Sequence, residues 1–122
     1  MNWQALLWIG LGGGFGSALR AYLSFLYNTK YDFPWGTFIA NVLSSILLGY
    51  LFGKLSTDGA SHWWYWLLGI GFCGGFSTFS TFSLESVLLM SQGSVKIGLL
   101  YILSSIFVAG IAIYLGLKLS NL

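Results

Sequence analysis

The chemistry of this chain is concentrated in the run Phe76-Ser77-Thr78-Phe79-Ser80-Thr81-Phe82-Ser83, which follows Cys73-Gly74-Gly75. Phe76, Phe79 and Phe82 recur every three residues, so a helix brings them near one another. Ser77, Ser80 and Ser83 form a second such set, and Thr78 and Thr81 a third. Serine and threonine can bond to backbone carbonyls one turn back. Five hydroxyls in the seven residues 77–83 nevertheless exceed what packing asks for. The edge of a phenyl ring carries partial positive charge. Ring edges interleaved with hydroxyl donors make a surface where a small anion can rest without meeting a full charge. Weak, distributed contacts suit conduction, because a permeating ion has to leave again. The ordinary alternative is a stripe of aromatics in contact with lipid.

The glycines before this run are poor helix material, each costing about 1 kcal/mol relative to alanine. Unwinding there frees carbonyls at mid-membrane depth, and such groups must be buried in protein or bound to an ion. A packing kink at the glycines is the competing expectation. Other polar residues also lie at helical spacing. Thr37 and Asn41 are four apart, followed by Ser44 and Ser45, and Tyr101 and Ser105 are four apart. Arg20 is the one cation of the first apolar block, placed either to anchor a helix end or to attract anions. Glu85 follows the Phe/Ser run.

The elements that must position these residues are four apolar blocks, roughly 4–26, 34–54, 63–90 and 97–119. Each is long enough for a membrane span, which takes about 20 residues. The polar connections between them fall at 28–34, 54–62 and 91–96. Only 7% of the 122 residues are charged and 57% are hydrophobic. A soluble domain has about 25% charged residues. The expected class is therefore an all-α integral membrane protein, a single domain over 1–122 with four transmembrane helices. The long third block is expected to tilt, kink or break. No basic segment precedes the first block, so no cleaved signal peptide is expected.

Orientation is normally set by an excess of Lys and Arg on the cytoplasmic side. Here Lys54 and Lys118 fall on one side and Lys30 and Lys96 on the other. Either Arg20 tips the balance, or copies insert both ways and pair antiparallel. Gly12 with Gly16, and Gly71 with Gly75, form GxxxG pairs that suit close packing and association. Cys73 is the only cysteine, His62 stands alone, and no nucleophile has a base beside it. Neither an enzyme nor a side-chain metal cluster is expected. A net charge of +2 does not argue for nucleic acid.

The sequence resembles the Fluc (CrcB-type) fluoride channels along its whole length. The resemblance is carried by GGxxGSALRA in the first block, P-x-GT-x-x-AN in the second, GFCGGFSTFSTFS in the third, and Tyr101 with Ser105 in the fourth. It implies a dual-topology homodimer of antiparallel four-helix subunits with a broken third helix, in the bacterial inner membrane. Such a dimer exports fluoride passively and lessens its toxicity. The resemblance further implies a fluoride path along Phe79, Phe82, Asn41, Tyr101 and Ser105, with Ser80, Thr81 and Thr37 in its hydroxyl track. Arg20 matches a basic residue near the pore entrance. A structural sodium ion (Na+) at the dimer interface is implied on the backbone carbonyls of Gly74 and Ser77. The rival is a small multidrug-resistance-type proton-coupled transporter, which calls for a mid-membrane carboxylate.

Overall fold

The computed structural model describes residues 2–58 and 62–121, and the chain is all-helical, with no strand among the described residues. Helix α1 runs over Trp3–Tyr27 and α2 over Trp35–Asp58. A π-helical stretch, Tyr65–Cys73, continues into one α-helical turn, α3, Gly74–Phe76. After two extended residues, α4 covers Phe79–Ser91, and α5 covers Val95–Ser120. The connection expected at 54–62 falls partly outside the described residues.

Short-range chemistry sets the ends. The Asn2 side chain accepts from the Ala5 N–H at 3.0 Å and caps α1. Asn28 closes α1 and reaches across to α2, where its Oδ1 accepts from the Gly36 N–H at 2.8 Å. The turn after α4 needs Gly93, whose φ of 85° lies in the left-handed region.

Three segments are long and apolar enough to cross a membrane, Trp35–Ser56, Tyr65–Ser91 and Val95–Ser120. At 25 residues α1 also has the length, and it carries five glycines, Gln4 and Arg20. The burial pattern fits hydrocarbon as solvent. Leu103, Ile106 and Phe107 of α5 face outward, whereas Thr37, Ser44, Tyr101 and Ser120 are buried. Without a hydrophobic drive between helices, close backbone approach and internal hydrogen bonds must hold them together.

Glycine supplies that approach along two seams. Helix α1 lies parallel to the π-helical stretch. A methyl group at Gly12 would collide with the Leu67 carbonyl, one at Gly16 with the Phe72 carbonyl, and one at Gly75 with the Gly13 carbonyl. Both GxxxG pairs thus meet inside one chain, and their close approach is accounted for without a second copy. Helix α2 lies parallel to α5, with Gly49 against Ile113 and Gly116 against the Ile46 carbonyl. The two seams are joined where Gly36 abuts Leu23 and Ser24; α3 packs on α1, and α4 packs on α5.

Candidate functional site

Ser77 (φ −80°, ψ 157°) and Thr78 (φ −155°, ψ 125°) are extended, so the backbone between α3 and α4 leaves its helical ladder. Side chains from α1 and α2 take over the freed groups. Asn41 binds both sides of Thr78, accepting from its N–H at 2.8 Å and donating to its carbonyl at 3.3 Å. The amide thus serves Thr78 as a neighbouring strand would. The Cys73 carbonyl receives the Ser77 N–H at 2.9 Å, the Ser77 hydroxyl at 2.7 Å and the Ser44 hydroxyl at 2.9 Å. The Gly75 carbonyl receives Arg20 Nε at 3.1 Å and the Ser17 hydroxyl at 3.4 Å. Thr78 then caps α4, its Oγ1 accepting from the Thr81 N–H at 3.2 Å.

In a continuous helix the Thr78 N–H would serve the Gly74 carbonyl. Asn41 diverts that donor. Gly74 is exposed, with nothing within 4 Å of the space a side chain would take.

Beside the interruption lies a groove of about 260 Å³. Asn41, Ser77, Thr78, Phe79, Phe82 and Ser105 are among its lining residues. The Phe79 and Phe82 ring centroids stand 5.8 Å apart, tilted by 43°. Phe82 is buried, while Phe79 is 79% exposed on the surface of the chain. The Ser105 hydroxyl is buried with no hydrogen-bond partner. Buried polar groups are nearly always paired, so this unpartnered hydroxyl is an uncommon feature of a residue that lines the groove.

The candidate residues fall into three places. Asn41, Ser77, Phe79, Phe82 and Ser105 meet at the groove. Ser80 and Thr81 flank the cap of α4, each within 3.3 Å of Thr78 Oγ1. Thr37 and Tyr101 are turned elsewhere, to Glu85. Its Oε1 accepts from Thr37 Oγ1 at 2.7 Å and Asn28 Nδ2 at 2.8 Å, and its Oε2 accepts from the Tyr101 hydroxyl at 2.7 Å. The Tyr101 ring stands 5.2 Å from the Phe82 ring and 5.3 Å from the Phe33 ring, which links this carboxylate to the groove wall. Sequence reasoning gave Glu85 no definite role. The available signal was that it is the sole acid between Tyr65 and Ser91. Arg20 is not among the groove's lining residues and instead bonds to the Gly75 carbonyl.

Residues 7–117 match the family model described as CrcB-like protein, Camphor Resistance (CrcB). The chain belongs to the CrcB family. This CrcB-family chain is 41% identical to a protein of Pyrococcus horikoshii over 122 residues, covering 99% of each, and that relative is named "Fluoride-specific ion channel FluC". A relative from Novosphingobium aromaticivorans with the same name is 38% identical, over 94% of each chain. One from Bacillus cereus, named "Fluoride-specific ion channel FluC 2", is 42% identical over 98% of each. The CrcB-family chain is a multi-pass membrane protein.

Proposed function

We propose that this protein is a fluoride-selective channel that lets cytoplasmic fluoride leave the cell passively, across the inner membrane when the host is bacterial. It is a channel, not an enzyme. The observation that carries this reading is the groove where the Phe82 ring, the Asn41 amide and the unpartnered Ser105 hydroxyl converge. Dispersed neutral donors and ring edges favour a small anion strongly enough to admit it and weakly enough to release it. Export needs no coupling, because a negative-inside potential drives an anion outward by about 2.3 kcal/mol per 100 mV. The names of the full-length relatives support the choice of fluoride.

We further propose four spans in a single domain, with α1 as the first and the third interrupted at Ser77–Thr78. Phe79, Phe82, Asn41 and Ser105 form the wall of the path. Ser80 and Thr81 continue it, and Thr37 and Tyr101 line its approach. The functional unit is an antiparallel homodimer of dual topology. The exposed Phe79 ring and the open face at Gly74 support a partner at this surface, as does the balanced count of lysines.

A sodium ion suits the donors at the interruption. No group of three His, Cys, Asp or Glu side chains among the described residues could hold a metal, and backbone carbonyl oxygens are hard ligands of the kind sodium takes. Of the carbonyls there, Cys73 and Gly75 already receive side-chain donors. Gly74 has lost its regular donor, and Ser77 is extended beside it. Freed carbonyls of this kind coordinate sodium in interrupted membrane helices. Gly74 and Ser77 would hold the ion between subunits, where it would join the two interruptions.

The test is efflux from liposomes loaded with potassium fluoride, started with valinomycin. Fluoride release without chloride release is expected. Proton-coupled uptake of a cationic drug, or an absence of flux, would overturn the reading.

A further inference from the structure

We infer that Arg20 is a positioning residue for the helix interruption, and that conduction depends on its Nε–H cap on Gly75 rather than on its charge. This inference rests on the fluoride-channel reading. It starts from an orphaned acceptor. In a continuous helix the Gly75 carbonyl would receive the Phe79 N–H. Phe79 instead opens α4 after two extended residues, so that donor is gone. An unpaired carbonyl at this depth is costly in hydrocarbon. Arg20 Nε stands 3.1 Å from it, closer than the Ser17 hydroxyl at 3.4 Å.

Three features make the cap specific. Gly75 packs against the Gly13 backbone, so α1 approaches closely enough for a side chain one to two turns along to reach it. Helical side chains point back toward the N-terminus of their helix. The Arg20 guanidinium accordingly runs inward to Gly75 and does not snorkel to the end of α1 at Tyr27. Glu85, the acid of the neighbouring α4, is turned to Asn28, Thr37 and Tyr101. The bond Arg20 makes here is therefore to a backbone carbonyl at the C-terminal end of α3. This end sets the start of the Ser77–Thr78 extension, and with it the groove wall at Thr78 and Phe79.

Cap and charge can be separated by substitution. Glutamine carries an N–H the same number of bonds from the backbone as arginine Nε, but no charge. Methionine has matching length and no donor. Lysine keeps the charge and places a methylene where Nε stands. The full-length protein and its R20Q, R20M and R20K variants are reconstituted and compared for fluoride efflux. R20Q is expected within about threefold of the wild type and R20M at least about tenfold below it, the scale of one buried hydrogen bond. If R20K conducts while R20Q does not, or if R20Q falls as far as R20M, the inference is overturned. It is also overturned if R20M conducts normally.

A spectroscopic measurement separates this from general misfolding. Labelling glycine carbonyl carbon and phenylalanine nitrogen selects the Gly–Phe links at 14–15, 71–72 and 75–76. One of these carbonyl resonances should move in R20M and stay in place in R20Q. Movement in R20Q as large as in R20M overturns the cap. If R20M does not assemble, a conducting R20Q alone still supports the cap over the charge, and an assembled but silent R20Q refutes it. Wild-type protein without fluoride flux would count against the channel reading, while the resonances would still decide the cap.

Discussion

Asn41→Leu tests how the interruption is held. Leucine keeps nearly the same shape and removes both polar groups. The Thr78 N–H then loses its 2.8 Å acceptor and the Thr78 carbonyl its 3.3 Å donor. Each bond at this part-buried position is worth about 0.5–1.5 kcal/mol net, so the two together are worth roughly 1–3 kcal/mol. At about 1.4 kcal/mol per factor of ten, opening of this segment becomes at least about fivefold easier. Hydrogen exchange in nanodiscs, followed by mass spectrometry on fragments covering 72–82, measures this change. Protection at the Thr78 amide should fall by at least that factor, while amides near Gly116 keep theirs. Fluoride flux should fall with it, because Thr78 and Phe79 line the groove. A Thr78 amide that stays protected within about threefold, below one hydrogen bond's worth, would refute the clamp. So would a wholesale loss of protection in α5, since that would make Asn41 a general folding residue.

Four further outcomes follow from the same geometry. Phe82→Ile should sharply reduce fluoride efflux while leaving the oligomeric state unchanged on size-exclusion chromatography, because it removes the ring edge and keeps an apolar side chain. Ser105→Ala removes a hydroxyl that has no partner; thermal stability in detergent should change by less than about 1 kcal/mol, while efflux falls. Glu85→Gln weakens the three bonds from Asn28, Thr37 and Tyr101, each worth about 1 kcal/mol, so the unfolding temperature in detergent should drop. Replacing sodium with N-methylglucamine should shift a cross-linking assay from dimer toward monomer if Gly74 and Ser77 carbonyls hold the ion.

The all-helical membrane character was legible from composition, because a chain with 7% charged residues lacks the groups to cover a surface in water. The CrcB-type resemblance was legible from the third-block motif. The partners of the polar residues were not. Thr37 and Tyr101 sit 64 positions apart in sequence, and nothing local says that both point at Glu85. Asn41 and Thr78 are 37 positions apart, and their pairing depends on how far α2 stands from the interruption. Helical periodicity gives the face a side chain occupies, not the element opposite. The GxxxG pairs show the same limit. Their spacing signals close approach, yet whether it is met inside one subunit or between two depends on the helix arrangement.

The bond between Arg20 and Gly75 joins residues 55 positions apart, and this has a consequence for biosynthesis. As the first proposed span, α1 leaves the ribosome well before its partner has been made. Arg20, seven residues before the end of α1, costs a lone helix up to about 2.5–3.5 kcal/mol on insertion, the figure for a helix centre, and five glycines in α1 offer little apolar surface in return. The nascent α1 is therefore a weak passenger at the translocon until Gly75 emerges. Its stable placement should await synthesis of the third segment, and an α1–α2 fragment alone should be held poorly in the bilayer.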